Sequence, residues 1–155
     1  MDPTIDDLLY FVEAALDGMC AILLRLGDEL ANARLDVEGS NSPFVILTHC
    51  LGVMEKWGGR TIAGRGISRD RNAEFVAHGS VADLVARVGS AKLRFREDIS
   101  GHDWAERVTN REEHYERNAT VLLHVLEELA QHHGHMDITR DVLLARAEAD
   151  RHISG

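Results

Sequence analysis

The chain has 155 residues, 45% of them hydrophobic and only two of them proline, and its 26 acidic against 17 basic residues leave a formal net charge of −9. That length buries a core without disulfide staples. The scattered acidic surplus excludes the basic stripe a nucleic-acid partner would need, and no apolar run approaches the ~20 residues that span a bilayer.

The acidic start Met1-Asp-Pro-Thr-Ile-Asp-Asp7 lacks the basic beginning and small-residue cleavage site of a secretory signal. A single cytoplasmic domain over residues 1–155 is expected. With no secretory signal, the glycosylation sequon Asn118-Ala-Thr120 is read as accidental. Cys20 and Cys50 each sit inside a helical pattern and are expected as buried thiols, since two thiols alone make no zinc ribbon.

The first helix is expected to start at Asp2-Pro3-Thr4, with Asp2 as cap and Pro3 at the first helical position, where its missing N–H costs nothing. Leu8, Val12, Ala15, Met19, Ile22 and Leu26 share one face at helical spacing, and Gly27 is a C-terminal stop. Residues 28–39 are mixed and polar and read as a loop, with room for a frayed helical turn.

Ser42-Pro43 gives the second helix its clearest signal, a cap followed by a first-turn proline and then the apolar run Phe44-Val-Ile-Leu. Ile46, Cys50, Val53 and Trp57 lie together on the wheel, and His49 falls within that apolar face. A desolvated imidazole there needs hydrogen-bond partners or a metal. Gly58-Gly59 weakens the helix end.

Residues 63–79 show no sustained period and read as a long crossover of the kind that joins parallel neighbours. Ser80-Val-Ala-Asp83 resembles a capping box with Asp in place of Glu. The third helix then buries Leu84, Val88, Ala91 and Phe95, with Arg87, Lys92, Arg94 and Arg96 either on a solvated face or at the mouth of a pocket for an anion. Residues 98–117 are charged and read as a second long loop.

Asn118 caps the last helix, whose inner side carries Val121, Leu122, Val125, Leu129, Met136 and Leu143. At about 100° per residue, His124, Glu128, His132 and His135 fall within an arc of roughly 80° on that helix. Gly134 costs roughly 1 kcal/mol relative to Ala inside a helix, which a close approach by another backbone or a ligand beside the histidines would justify. The alternative for the stripe is a polar face turned to solvent. His49 decides against that, because it supplies the matching ligand from inside the core.

Amphipathic helices with two long connections make an all-α four-helix bundle, and bundles place metal sites between facing helices. One divalent ion is expected, held by His49 and by two or three residues of the last helix. Imidazole and carboxylate suit zinc, nickel, iron or manganese. Three protein ligands leave positions for water or substrate, and an open ion generates a hydroxide or thiolate near neutral pH.

Phe44-Val-Ile-Leu-Thr-His49-Cys-Leu-Gly-Val-Met-Glu-Lys-Trp57 resembles the second-helix signature of the DinB-like superfamily, in which a His precedes a Trp on the same helix. The stretch from Leu123 to Asp137, with His132-His-Gly-His135-Met-Asp137, is similar to the last-helix motif of an actinobacterial branch of it. The resemblance implies an up-down-down-up helix order and a metal triad of one His from helix two and two residues spaced four apart on the last helix. On this chain those are His49, Glu128 and His132. Many members have His where Glu128 stands, and Glu there is similar to the mycothiol-dependent maleylpyruvate isomerases.

His135 competes with Glu128 as third ligand or serves as catalytic acid/base. His124 stands behind the ligands, and His133 is expected to point away and be exposed. Zinc or nickel is expected ahead of iron or manganese. The partners it implies are a low-molecular-weight thiol such as mycothiol and a small electrophile, with room for a homodimer. Arg60, Arg65 or Arg111 is a candidate to hold a substrate carboxylate. The reaction implied is thiol S-transfer or thiol-dependent isomerisation. A metal-dependent hydrolase and a non-catalytic, stress-associated metal-binding protein are the competing readings.

Overall fold

The computed structural model describes residues 4–108 and 115–153. Among them the architecture is all-helical: α1 (Ile5–Asn32), α2 (Pro43–Met54) continued by a π-helical segment (Glu55–Ile62), α3 (Arg71–Glu74), α4 (Val81–Ile99) and α5 (Asn118–Ile153). The only extended pairing among these residues is one isolated antiparallel bridge, Arg107 to Arg117. None of the described helices is long and apolar enough to cross a membrane.

Thr4, not Asp2, caps α1: its hydroxyl accepts from the Asp7 backbone N–H, while the Asp7 carboxylate accepts from the Thr4 N–H at 2.8 Å. Asp2 and Pro3 lie outside the described residues. The expected inner face from Leu8 to Leu26 is buried throughout. Gly27 kinks the helix instead of ending it. Its left-handed φ of 69° breaks the helical path, a conformation glycine adopts without steric cost, and a further turn runs on to Asn32. That turn clamps the start of α4, with Asn32 bonding both the N–H and the C=O of Gly79 and Asp28 accepting from Val81 N–H at 2.8 Å.

Helix α2 begins as its sequence announces, with Ser42 accepting from Val45 N–H and Pro43 in the first turn. It is not amphipathic, because every residue from Pro43 to Leu51 is buried. A helix apolar on all sides belongs in the middle of a protein, and α2 packs against α1, α4 and α5. The glycine pair does not terminate it. The chain widens into the π-helical segment, where a Cβ on Gly58 would lie 2.6 Å from the Phe95 ring.

Helix α4 buries Leu84, Val88 and Phe95 and is capped by Ser80, which accepts from Asp83 N–H. Lys92 reaches Asp17 and Arg96 reaches Glu13, both on α1. The buried side chains of α1, α2, α4 and α5 form one apolar cluster. Cys20 and Cys50 are free and buried, as expected. Asn118 is the first residue of α5 rather than its cap: its side-chain oxygen bonds no helix N–H, while its backbone N–H donates to Glu106 O and its side-chain N–H2 to Asp103 O in the preceding loop, each at 3.0 Å.

Candidate metal centre

Helices α2 and α5 face each other where His49 and the late stripe stand. One ligand atom each from His49, Glu128 and His132 lies within 4.8 Å of the others. The Glu128 carboxylate is the hub: its Oε2 is 3.4 Å from His132 Nε2 and 3.8 Å from His49 Nε2. For metal–ligand bonds of about 2.1 Å, tetrahedral donors stand about 3.4 Å apart. The spacing therefore suits a divalent ion, and two imidazoles with a carboxylate are a borderline donor set of the kind such ions take.

Burial is graded across the three. His49 is buried, whereas Glu128 and His132 are half-buried and open the cluster on one side. Burial, followed by the neighbouring His49 imidazole, pushes the His132 proton affinity below the ordinary imidazole value against the opposing pull of Glu128. Its ring is accordingly neutral, with a lone pair to offer, at neutral pH.

The open side leads into a cleft of about 530 Å³, a size typical of small-molecule sites. Trp57, Phe75 and Val53 give it apolar walls, and Lys56, Arg69 and Arg71 give it positive charge. Lys56 Nζ sits 4.2 Å above the Trp57 ring, and the Arg71 guanidinium 5.5 Å from the Phe75 ring. His124 also lines the cleft, one turn before Glu128, with Nε2 3.9 Å from Glu128 Oε1 and its ring edge-on to Trp57 at 5.1 Å.

The remaining residues of the stripe fare differently. His135 is exposed, its ring centroid 6.5 Å from that of His132, and it stands outside the three-residue cluster. His133 is half-buried rather than exposed, because its ring lies over Gly18 of α1 in the space a Cβ would take. Gly134 has no close approach to justify it, since a Cβ there would meet nothing within 4 Å.

Among the arginines expected at the mouth, Arg65 is bound to two carboxylates, Glu55 at 2.9 Å and buried Asp98 at 2.8 Å. Arg60 does not line the cleft, and Arg111 lies outside the described residues. The basic residues of α4 do not reach this cleft; Arg87 and Arg94 line a separate depression beside Leu51 and Glu55.

Glu74 is the residue that the sequence reading missed. It sits at the end of α3, a single turn inside the stretch read as pure loop, where Asp70 caps by accepting from Ala73 N–H at 3.0 Å. Its Oε2 lies 2.9 Å from His49 Nδ1, and Arg69 grips both its oxygens, Nε to Oε1 at 2.6 Å and Nη2 to Oε2 at 2.8 Å. Burial raises the Glu74 pKa, but the hydrogen bonds from Arg69 and His49 outweigh it and hold the carboxyl below its ordinary value. The one available signal was the Asp70 cap before Arg71-Asn-Ala-Glu74, too short a pattern to register as a helix.

The family model for mycothiol-S-transferases matches residues 7–144, nearly the whole chain. The chain belongs to that family, which is DinB-like. No curated protein matches it.

Proposed function

We propose, with membership of the mycothiol-S-transferase family as the premise, that this chain is a metal-dependent transferase joining mycothiol or a similar thiol to a small electrophile. The observation that carries the reading is a three-donor cluster whose open side faces a cleft large enough for a substrate. His49, Glu128 and His132 would hold the ion. Support for Glu128 over His135 as third ligand comes from the Glu128 oxygens, which approach both histidines, whereas His135 is turned to solvent. A bound divalent ion supplies Lewis acidity that keeps a thiol ionised near neutral pH.

The chain's own thiols are unsuited to the role of nucleophile. Burial pushes Cys50 far above the ordinary thiol range, with Glu128 and Glu74 adding to it, and burial likewise raises Cys20. A co-substrate must therefore bring the sulfur. Trp57 and Phe75 offer apolar faces against which an electrophile can lie out of water, and Lys56 and Arg71 set positive charge beside those faces.

In this reading the chain is one four-helix-bundle domain of up-down-down-up order, the ion is zinc or nickel, and a reduced thiol partner suits a cytoplasmic setting. The test is conjugation of mycothiol to a bimane electrophile by metal-loaded protein, followed as adduct formation. Metal-dependent turnover that is lost in His49→Ala is expected. A fully metallated protein that conjugates no low-molecular-weight thiol overturns the reading.

A further inference from the structure

We infer that Glu74, pinned by Arg69 and admitted by Gly52, is a positioning residue that fixes the His49 ring in the tautomer whose Nε2, the nitrogen facing Glu128, is free to ligate a metal. The inference rests on the metal-site reading above and extends the centre to a segment outside the two ligand-bearing helices. An imidazole has two nitrogens, and the one that binds a metal must be free of hydrogen. On His49, Nε2 faces Glu128, and Nδ1 faces Glu74 at 2.9 Å.

The contacts decide which nitrogen carries the proton. An ionised carboxylate only accepts, and Glu74 already accepts two hydrogen bonds from Arg69. The atom of His49 beside it must therefore be the donor, so Nδ1 bears the hydrogen and Nε2 presents its lone pair toward Glu128. Arg69 Nη2 also approaches Nδ1, at 3.3 Å, but with both atoms donating they share the Glu74 Oε2 acceptor and do not bond each other. The guanidinium balances the carboxylate's charge, so what His49 meets is an oriented acceptor in a neutral pair. Carboxylates placed this way behind metal-binding histidines set ring orientation and raise ligand basicity.

Gly52 makes the approach geometrically available. It lies three residues after His49, hence on the same side of α2. A Cβ there would land inside the Glu74 carboxylate and 2.9 Å from Arg69 Nε. Alanine would ordinarily strengthen a helix at such a position, so glycine at position 52 is explained by the carboxylate that occupies its space.

Two variants and two readouts test this. In Glu74→Gln, Arg69 claims the amide oxygen and turns the amide N–H2 toward Nδ1, which favours the wrong tautomer. Gly52→Ala removes no charge and no donor but displaces the carboxylate, and serves where Glu74→Gln does not fold. The first readout is the His49 tautomer in metal-free protein, from imidazole nitrogen shifts at mildly alkaline pH. The second is affinity for zinc against a chromophoric chelator.

Wild type is expected in the Nδ1–H form. Both variants should lose that preference and bind zinc roughly 10- to 100-fold more weakly while keeping wild-type helical content. A folded Glu74→Gln protein with wild-type tautomer and zinc affinity overturns the inference. If wild type binds no zinc, the metal-site reading fails on its own, and the tautomer comparison still decides the role of Glu74.

Discussion

Two adjacent stretches of α5 carry two histidines each, yet only one of them faces a matching ligand. The first, from His124 to His132, meets buried His49 across the gap to α2. The second, His133-Gly134-His135, begins one residue later and lays one ring on α1, while the other ring faces solvent. A helix turns by about 100° per residue, so neighbours in sequence look in different directions. A histidine becomes a metal ligand through what stands opposite it, and local composition cannot supply that.

The strongest way to separate the two stretches is to remove His132. His132→Ala takes one of three donors and should lower zinc affinity by more than about 100-fold, beyond what removing a supporting carboxylate does. Titration against a chelator checks it, and near-wild-type affinity would mean that the wrong stretch has been chosen. The middle effect concerns stability. Gly134 is exposed, helical and has open space where a Cβ would go, so Gly134→Ala should stabilise the fold by up to about 1 kcal/mol, read as a raised urea midpoint. Destabilisation would reveal a close contact at this residue after all. The smallest effect is expected from His135→Ala, within about 0.5 kcal/mol in stability and with bound metal unchanged. Loss of metal in that variant would make His135 a ligand and erase the distinction between the two stretches.

Much of this arrangement was legible in the sequence because helices repeat. The inner faces of α1, α4 and α5 follow from spacing, and the start of α2 follows from Ser42-Pro43. The pairing of His49 with the late stripe was legible because an imidazole on an apolar face has to be satisfied. Three features were not. Gly27 and Gly58-Gly59 look like helix ends, yet the first absorbs a kink and the pair allows a π-helical continuation against Phe95. A glycine shows that the backbone has freedom there but does not say how that freedom is used. Glu74 and Arg69 lie where no period exists, and their importance comes from a fold-back onto α2 that only three-dimensional proximity reveals. His133 was misjudged because Gly18, which makes room for its ring, is distant in sequence.

The central claim is that one ion bridges α2 and α5 through His49, Glu128 and His132. Elemental analysis of protein purified without chelator, run beside His49→Ala, tests it most directly. About one equivalent of a divalent transition metal in wild type and almost none in a folded variant is the predicted result. A wild-type protein without stoichiometric metal, or a His49→Ala protein that keeps its full complement, would contradict it.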